Sequence, residues 1–430
     1  MKPPLRIAIA GLGTVGAGTV QLLQRNAELL EGRAGRRLVL SAAAARDQRR
    51  ERGIDLAGVR WFADATAMAR DPEIDVVVEL IGGSEGVARE VVAGAIAHGK
   101  HVVSANKALL ALHGTDLARQ AEARGVALLF EAAVAGGIPI LKALREGLGA
   151  NNVTRIYGIL NGTCNFILTT MRETGRDFAD VLGEAQRLGY AEADPSFDID
   201  GVDAAHKLVL LAAVAFGNAV DFAGVHVEGI RHVSALDIDF AAELGYRIKL
   251  LGVARMTPHG LEQRVHPCMV PRSTPIAHVD GVFNAVMVEG DFVGRVMLEG
   301  RGAGAHPTAS AVVADLLDIA AGRWSPSFTV PASALQSRRS SPMARHLGAY
   351  YVRLMVVDRP GVIADVAAAL RDEQVSMEQM IQRGRAPGEA VPVVLTTHET
   401  EEAAMRRALE RIHRLDTVLE PPRMIRVVNL

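Results

Sequence analysis

Asp203 and Lys207 stand four residues apart, immediately before the unbroken apolar stretch Leu208–Phe216. On a helix that spacing puts both side chains on one face. The apolar continuation carries the helix into a core and leaves the charged pair at its mouth. The loop ahead of it, Tyr190 to Asp200, is acidic, with Glu192, Asp194, Asp198 and Asp200. Carboxylates around one lysine suit a zwitterionic amino acid: they hold its ammonium while the lysine moves a proton at an oxygen. Arginine supplies all but six of the 47 basic residues. A lysine that persists in such a chain marks a need for a compact, titratable amine. Lys107, in Ser104-Ala105-Asn106-Lys107, is a second such case.

Gly11-x-Gly13-x-x-Gly16 lies between a short apolar run and a helical stretch. In that context the glycines permit a tight turn and close backbone approach to a pyrophosphate, which the helix N-terminus attracts. The next strand ends Ala45-Arg46-Asp47-Gln48-Arg49-Arg50. Arg46, backed by two further arginines, suits a 2′-phosphate and favours NADP, while Asp47 keeps NAD open. Gly300-Arg-Gly-Ala-Gly304 precedes another helical run, again allowing a close approach to ligand. Cys164, beside the expected helix cap Thr163, has two readings: a nucleophile activated by the helix end, or a small buried residue. His98-x-x-His101 straddles a helix end and reads as structural.

Whole-chain quantities exclude other classes. With 430 residues the chain holds two or three domains. A net charge of −2 and 4 % aromatics argue against a nucleic-acid partner. Two cysteines fit a reducing cytoplasm. The apolar segment near the N-terminus is too short for a signal peptide, and Leu208–Phe216 is half a membrane span.

These residues need elements to position them. Residues 1–134 alternate β-branched runs (6–10, 38–45, 75–81, 101–105, 127–134) with helical stretches such as 14–30 and 87–98, the order of a Rossmann-like α/β domain with a doubly wound parallel sheet. Residues 135–299 form a separate α+β domain, with helices near 138–146, 166–174 and 204–216 and strands at 153–160, 248–254, 285–288 and 295–298. Residues 300–322 return to the first domain, and 323–348 form a linker. Residues 349–430 run βαββαβ, the ferredoxin-like order, with amphipathic helices and apolar strands that let the module fold alone.

The chain resembles monofunctional homoserine dehydrogenase with a C-terminal ACT domain, through GLGTVG (11–16), SANK (104–107), EAAVAGGIPI (131–140), ILNGTCNFIL (159–168), LGYAEADPSFDIDGVDAAHK (188–207) and GRGAGAHPTASAVVADL (300–316). The resemblance implies NAD(P)-dependent interconversion of L-homoserine and aspartate 4-semialdehyde, on the route to threonine and methionine. It implies Lys207 as proton donor and acceptor, with Asp203 and Lys107 in support, and Glu192, Tyr190 and Asp198 as substrate contacts. Gly11, Gly13, Thr14, Val15, Gly16, Arg46, Ser104, Lys107 and Gly304 would serve the cofactor. Glu131, Val134, Gly136 and Ile138 would hold a monovalent cation, sodium, largely through main-chain oxygens. An amino-acid effector at the ACT module, whose first loop is Asp358-Arg-Pro-Gly361, and a homodimer or homotetramer are also implied. Family members more often carry Thr at position 164, which argues against an obligatory cysteine nucleophile. The competing readings are a Cys164-dependent semialdehyde dehydrogenase and a non-catalytic amino-acid and nucleotide sensor.

Overall fold

The computed structural model describes residues 2–383 and 386–429. Strands β1 (Leu5–Ala10), β2 (Leu38–Ala44), β3 (Arg60–Trp61), β4 (Val76–Glu79), β5 (His101–Ser104) and β6 (Leu128–Leu129) form a parallel sheet in the order β3-β2-β1-β4-β5-β6. Alanine, valine and isoleucine fill β1 and β4 because both faces are covered. The strand order reverses between β1 and β4, and the crevice at their carboxyl ends is where such sheets bind ligands. Two expected elements differ. The helix from Thr14 breaks at Asn26 into Thr14–Arg25 and Ala27–Ala34. The expected strand 127–134 keeps two residues, because the Glu131 N–H turns to Asp315 Oδ2 at 2.9 Å and the chain enters a 3-10 turn.

Helix Ala305–Ala321 packs against Thr14–Arg25, and its Val312 and Leu316 share a core with Ile7, Ile9 and Val20. Gly18 makes this contact close: a Cβ there would lie 3.0 Å from the Ala305 carbonyl oxygen.

The second sheet is built from β7 (Val153–Ile159), β8 (His226–Val227), β9 (Tyr246–Thr257), β10 (Gly260–Pro271), β11 (Phe283–Gly290) and β12 (Gly294–Arg301). Helices Gly162–Thr174 and Val202–Phe216 pack on it. Glu262, Gln263, Arg264 and His266 interrupt the apolar pattern of β10 and hide it from a hydropathy reading, yet all four are buried.

The C-terminal module holds β13 (Leu347–Val357), β14 (Met377–Gln382), β15 (Ala390–Thr397), β16 (Thr400–Glu401) and β17 (Arg423–Val427), with helices Val362–Asp372 and Glu402–His413. Its sheet does not stand apart. β17 pairs in parallel with β10, Cys268 opposite Arg426 and Met269 opposite Val427, so one sheet runs β12-β11-β7-β9-β10-β17-β13-β15-β14. Buried ion pairs close the junction: Arg426 with Glu228 (2.7 and 2.9 Å) and Glu402, and Arg353 with Asp237 (2.7 Å). Residues 323–348 are pinned rather than loose. Ser327 Oγ donates to Leu128 O, Ala332 N to Glu122, and Ser341 N to Leu261 O.

Candidate active site

A cleft of about 580 Å³ lies between the carboxyl edge of the first sheet and the second domain. Val15, Lys107, Tyr190, Glu192, Asp198, Asp203, Lys207, Gly136 and Gly304 all line it, drawing together segments from both domains. Lys207 Nζ donates to Asp203 Oδ2 at 2.7 Å and to the Leu160 carbonyl at 2.8 Å. Lys107 Nζ stands 3.3 Å from Asp203 Oδ1. Burial opposes the Asp203 charge, but Lys207, Lys107 and the hydrogen bonds prevail and hold its carboxyl at about 2. Asp203 is therefore a fixed anion between two amines.

Asn161, absent from the expected site, connects its parts. Its Nδ2 donates to Asp198 Oδ1 (2.8 Å) and Asp203 Oδ2 (2.9 Å), while its Oδ1 accepts from Cys164 N (2.8 Å) and caps helix Gly162–Thr174. The expected cap, Thr163, instead donates to the Tyr190 carbonyl at 2.7 Å and so ties the acidic loop to the helix. Burial, then the Asp203 charge, raise the Asp198 carboxyl above its ordinary value. Cys164 is fully buried, and burial with Asp198 and Asp203 pushes its thiol well above the usual value, the opposite of an activated nucleophile.

The glycine loop divides its labour. A Cβ on Gly11 would lie 2.5 Å from Leu80 O and one on Gly16 2.1 Å from Gly11 O, whereas Gly13 faces open space. Gly13 and Thr14 are exposed at the start of helix Thr14–Arg25, which has no side-chain cap, so its first N–H groups face outward. Arg46 is exposed at the end of β2, and the Asp47 Oδ1 beside it accepts the Arg49 N–H at 2.8 Å. Ser104 is buried and its hydroxyl donates to Glu79 at 2.7 Å. Glu79 also accepts from Ile81 N and Gly82 N and organises the edge from which Lys107 leaves. The signal for Glu79 was its place: a carboxylate ending an apolar strand at the ligand-binding edge.

Glu131, Val134, Gly136 and Ile138 lie on one buried turn, with Ala135 and Gly136 both at positive φ. The Glu131 carboxylate is occupied by Leu141 N (2.9 Å) and Lys142 N (2.8 Å), and burial, then Asp315, push it up to about 7. Among the described residues no group of three or more His, Cys, Asp or Glu could hold a metal. What this turn offers is neutral main-chain carbonyl oxygens, which suit a weakly charged hard cation rather than a transition metal.

Residues 11–131 match the profile described as homoserine dehydrogenase, NAD binding domain; 139–317 match homoserine dehydrogenase; and 350–416 match ACT domain. A homoserine dehydrogenase from Pseudomonas aeruginosa is 48% identical, with 99% of each chain covered. The chain belongs to the homoserine dehydrogenase family. Homoserine dehydrogenases from Neisseria gonorrhoeae (47% identical, 99% of each chain) and, as a crystal structure, from Thiobacillus denitrificans (48% identical, TM-score 0.94, 99% of this chain and 98% of that one) agree. A hyperthermophilic archaeal homoserine dehydrogenase solved in complex with NADPH is 26% identical with a TM-score of 0.64, over 75% of this chain and 99% of that one. As a homoserine dehydrogenase the chain is an oxidoreductase acting on a CH–OH group, with a Rossmann-like nucleotide-binding domain, a catalytic domain and an ACT domain. Lys107 falls in the first matched segment and the Asp203–Lys207 pair in the second, so the charged centre spans both. Among the described residues no helix is long and apolar enough to cross a membrane.

Proposed function

We propose that this homoserine dehydrogenase interconverts L-homoserine and L-aspartate 4-semialdehyde, with Lys207 handling the proton and NADP as the preferred cofactor. The observation that carries the reading is the Lys207–Asp203–Lys107 cluster at the cleft between nucleotide-binding edge and acidic loop. A bound nicotinamide supplies or accepts the hydride at the carbon that is aldehyde in one direction and alcohol in the other. Lys207 gives its ammonium proton to the carbonyl oxygen during reduction and takes the hydroxyl proton during oxidation. Asp203 and the Leu160 carbonyl aim Nζ, and Lys107 adds positive charge where the oxygen becomes alkoxide-like. Glu192 and Asp198, which line the cleft with Tyr190, would receive the substrate ammonium. The exposed Arg46, next to an aspartate already engaged in its own turn, supports preference for a 2′-phosphate.

A monovalent cation, sodium, would be held by main-chain oxygens of Glu131, Val134, Gly136 and Ile138, where it would brace the turn carrying Gly136 into the cleft. An amino-acid effector would bind the ACT module near Asp358, whose carboxylate accepts the Ala386 N–H at 2.7 Å. The exposed outer edge of β14 supports assembly into a homodimer or homotetramer. The test of the reaction is direct: protein, NADPH and aspartate semialdehyde should lose the absorbance of reduced nicotinamide, and no oxidation at any pH would refute the reading.

A further inference from the structure

Helices Gly162–Thr174 and Ala235–Glu243, strand β9 and Arg272, the residue after β10, enclose a second cavity, of about 250 Å³, that shares no lining residue with the active-site cleft. Leu168, Ile238 and Ile248 give it apolar wall; Arg172, Arg247, Lys249 and Arg272 give it positive charge.

One carboxylate serves most of this charge. Asp280 accepts from Arg172 (2.9 and 3.0 Å), Lys249 (3.0 Å) and Arg247 (3.4 Å), and Glu173 takes a further Arg172 N–H at 2.9 Å. Lys249 spends its other donors on Asn165 Oδ1 and Val279 O. The Nη1 of Arg247 is used, on Ala277 O and Asp280, which leaves its Nε and Nη2 free among the described residues. Arg272 is exposed and its guanidinium has no partner among the described residues. Among the described residues three of these four cations thus share two carboxylates, and Arg272 has none. Burial, then Arg172, lower the Arg247 guanidinium, and burial brings Lys249 down to about 8.

We infer that this cavity is a binding site for a small oxyanion, a phosphate or a short aliphatic carboxylate, received by the free guanidinium edges of Arg247 and Arg272. Guanidinium forks match the paired oxygens of either group. The apolar wall accommodates a short hydrocarbon, and an anion there offsets the uncompensated charge. The site is independent of the reaction proposed above. It adjoins the active site through one element, since helix Gly162–Thr174 is capped by Asn161 in the cleft and carries Arg172 into this cavity.

Equilibrium dialysis of the full-length protein with labelled inorganic phosphate, and separately with labelled isobutyrate, tests it. NADPH is kept saturating, to occupy the phosphate-binding loop of the first domain, and ionic strength is fixed. At least one probe should bind at one per chain, and Arg272→Ala and Arg247→Gln should each weaken it at least tenfold. The probe retained tells phosphate from carboxylate. Arg272→Ala removes an exposed side chain that has no partner among the described residues, so its effect is read on a folded protein. No saturable binding of either probe, or binding that both variants leave unchanged, would overturn the assignment.

Discussion

Lys107, leaving the first sheet, lies 3.3 Å from Asp203 on the buried helix of the second domain. Asp203 in turn holds Lys207 at 2.7 Å, so the apposition of two domains and the charge pattern in the cleft are set together. Lys207→Ala should lower kcat by about 100-fold or more, the usual scale for a positioned acid–base group, and leave NADPH affinity unchanged. Steady-state kinetics beside a fluorescence titration of NADPH check both halves. A rate within about tenfold of wild type would remove Lys207 from the proton step.

Arg46→Ala should reduce the preference for NADP over NAD by about tenfold or more, because a charge-assisted pair with the 2′-phosphate is lost while the rest of the dinucleotide keeps its contacts. The ratio of kcat/KM for the two cofactors measures it. An unchanged ratio would mean that the basic loop Arg46–Arg50 is only a solvated surface.

Cys164→Ala should keep turnover close to wild type. The thiol is fully buried and held protonated, with its Sγ 3.2 Å from the Asp198 carbonyl, so its removal costs packing rather than chemistry. Activity that vanished in a folded variant would revive a covalent mechanism.

Arg426 is 1 % exposed and serves both Glu228 and Glu402. Arg426→Ala removes the buried guanidinium that joins Glu228 to Glu402, leaves them Arg406 and His226 alone as cationic partners, and should cost up to about 3 kcal/mol in a denaturant titration. The same junction decides the outcome of truncation. A chain cut before residue 349 leaves β10 with an open edge and Glu228 and Asp237 without their arginines, so it should aggregate or fold poorly rather than yield an unregulated enzyme. Light scattering and circular dichroism of the truncated chain decide this.

Glu262, 3 % exposed, is held at about 2: burial opposes its charge, but the His346 hydrogen bond, Arg264 and Arg255 outweigh it. Its folded pKa lies below the unfolded value of about 4.3, so its contribution is complete above that pH and lost as pH falls towards 2. Unfolding free energy should drop by on the order of 3 kcal/mol across that window from this group. Glu262→Gln should flatten the drop, as read from urea melts at pH 5 and pH 3.

The nucleotide-binding half was legible because its signals are local. Gly11, Gly13 and Gly16 stand next to one another and to their strand, and both faces of β1 and β4 are apolar. The pair Asp203 and Lys207 was legible for the same reason, being one helical turn apart. Asn161 was not: its role depends on Asp198 and Asp203, 37 and 42 residues onward, and an asparagine before a glycine reads first as a turn. β10 was hidden because Glu262, Arg264 and His266 look like surface residues until Arg255 and His346 meet Glu262, which in turn pairs Arg264, itself bonded to His266. The C-terminal module read as self-contained because an edge strand such as β17 carries no mark in its sequence of the strand that will lie beside it.

The pairing of β17 with β10 has a mechanical meaning. From β17 through β10 and β9 to β7 there are three ladder spacings, about 15 Å. β7 ends where Leu160 and Asn161 meet Lys207 and Asp203. The module and the strand that delivers Asn161 thus belong to one continuous sheet, with Lys207 on a helix packed against it, and a tilt of the far strands is a tilt of that strand.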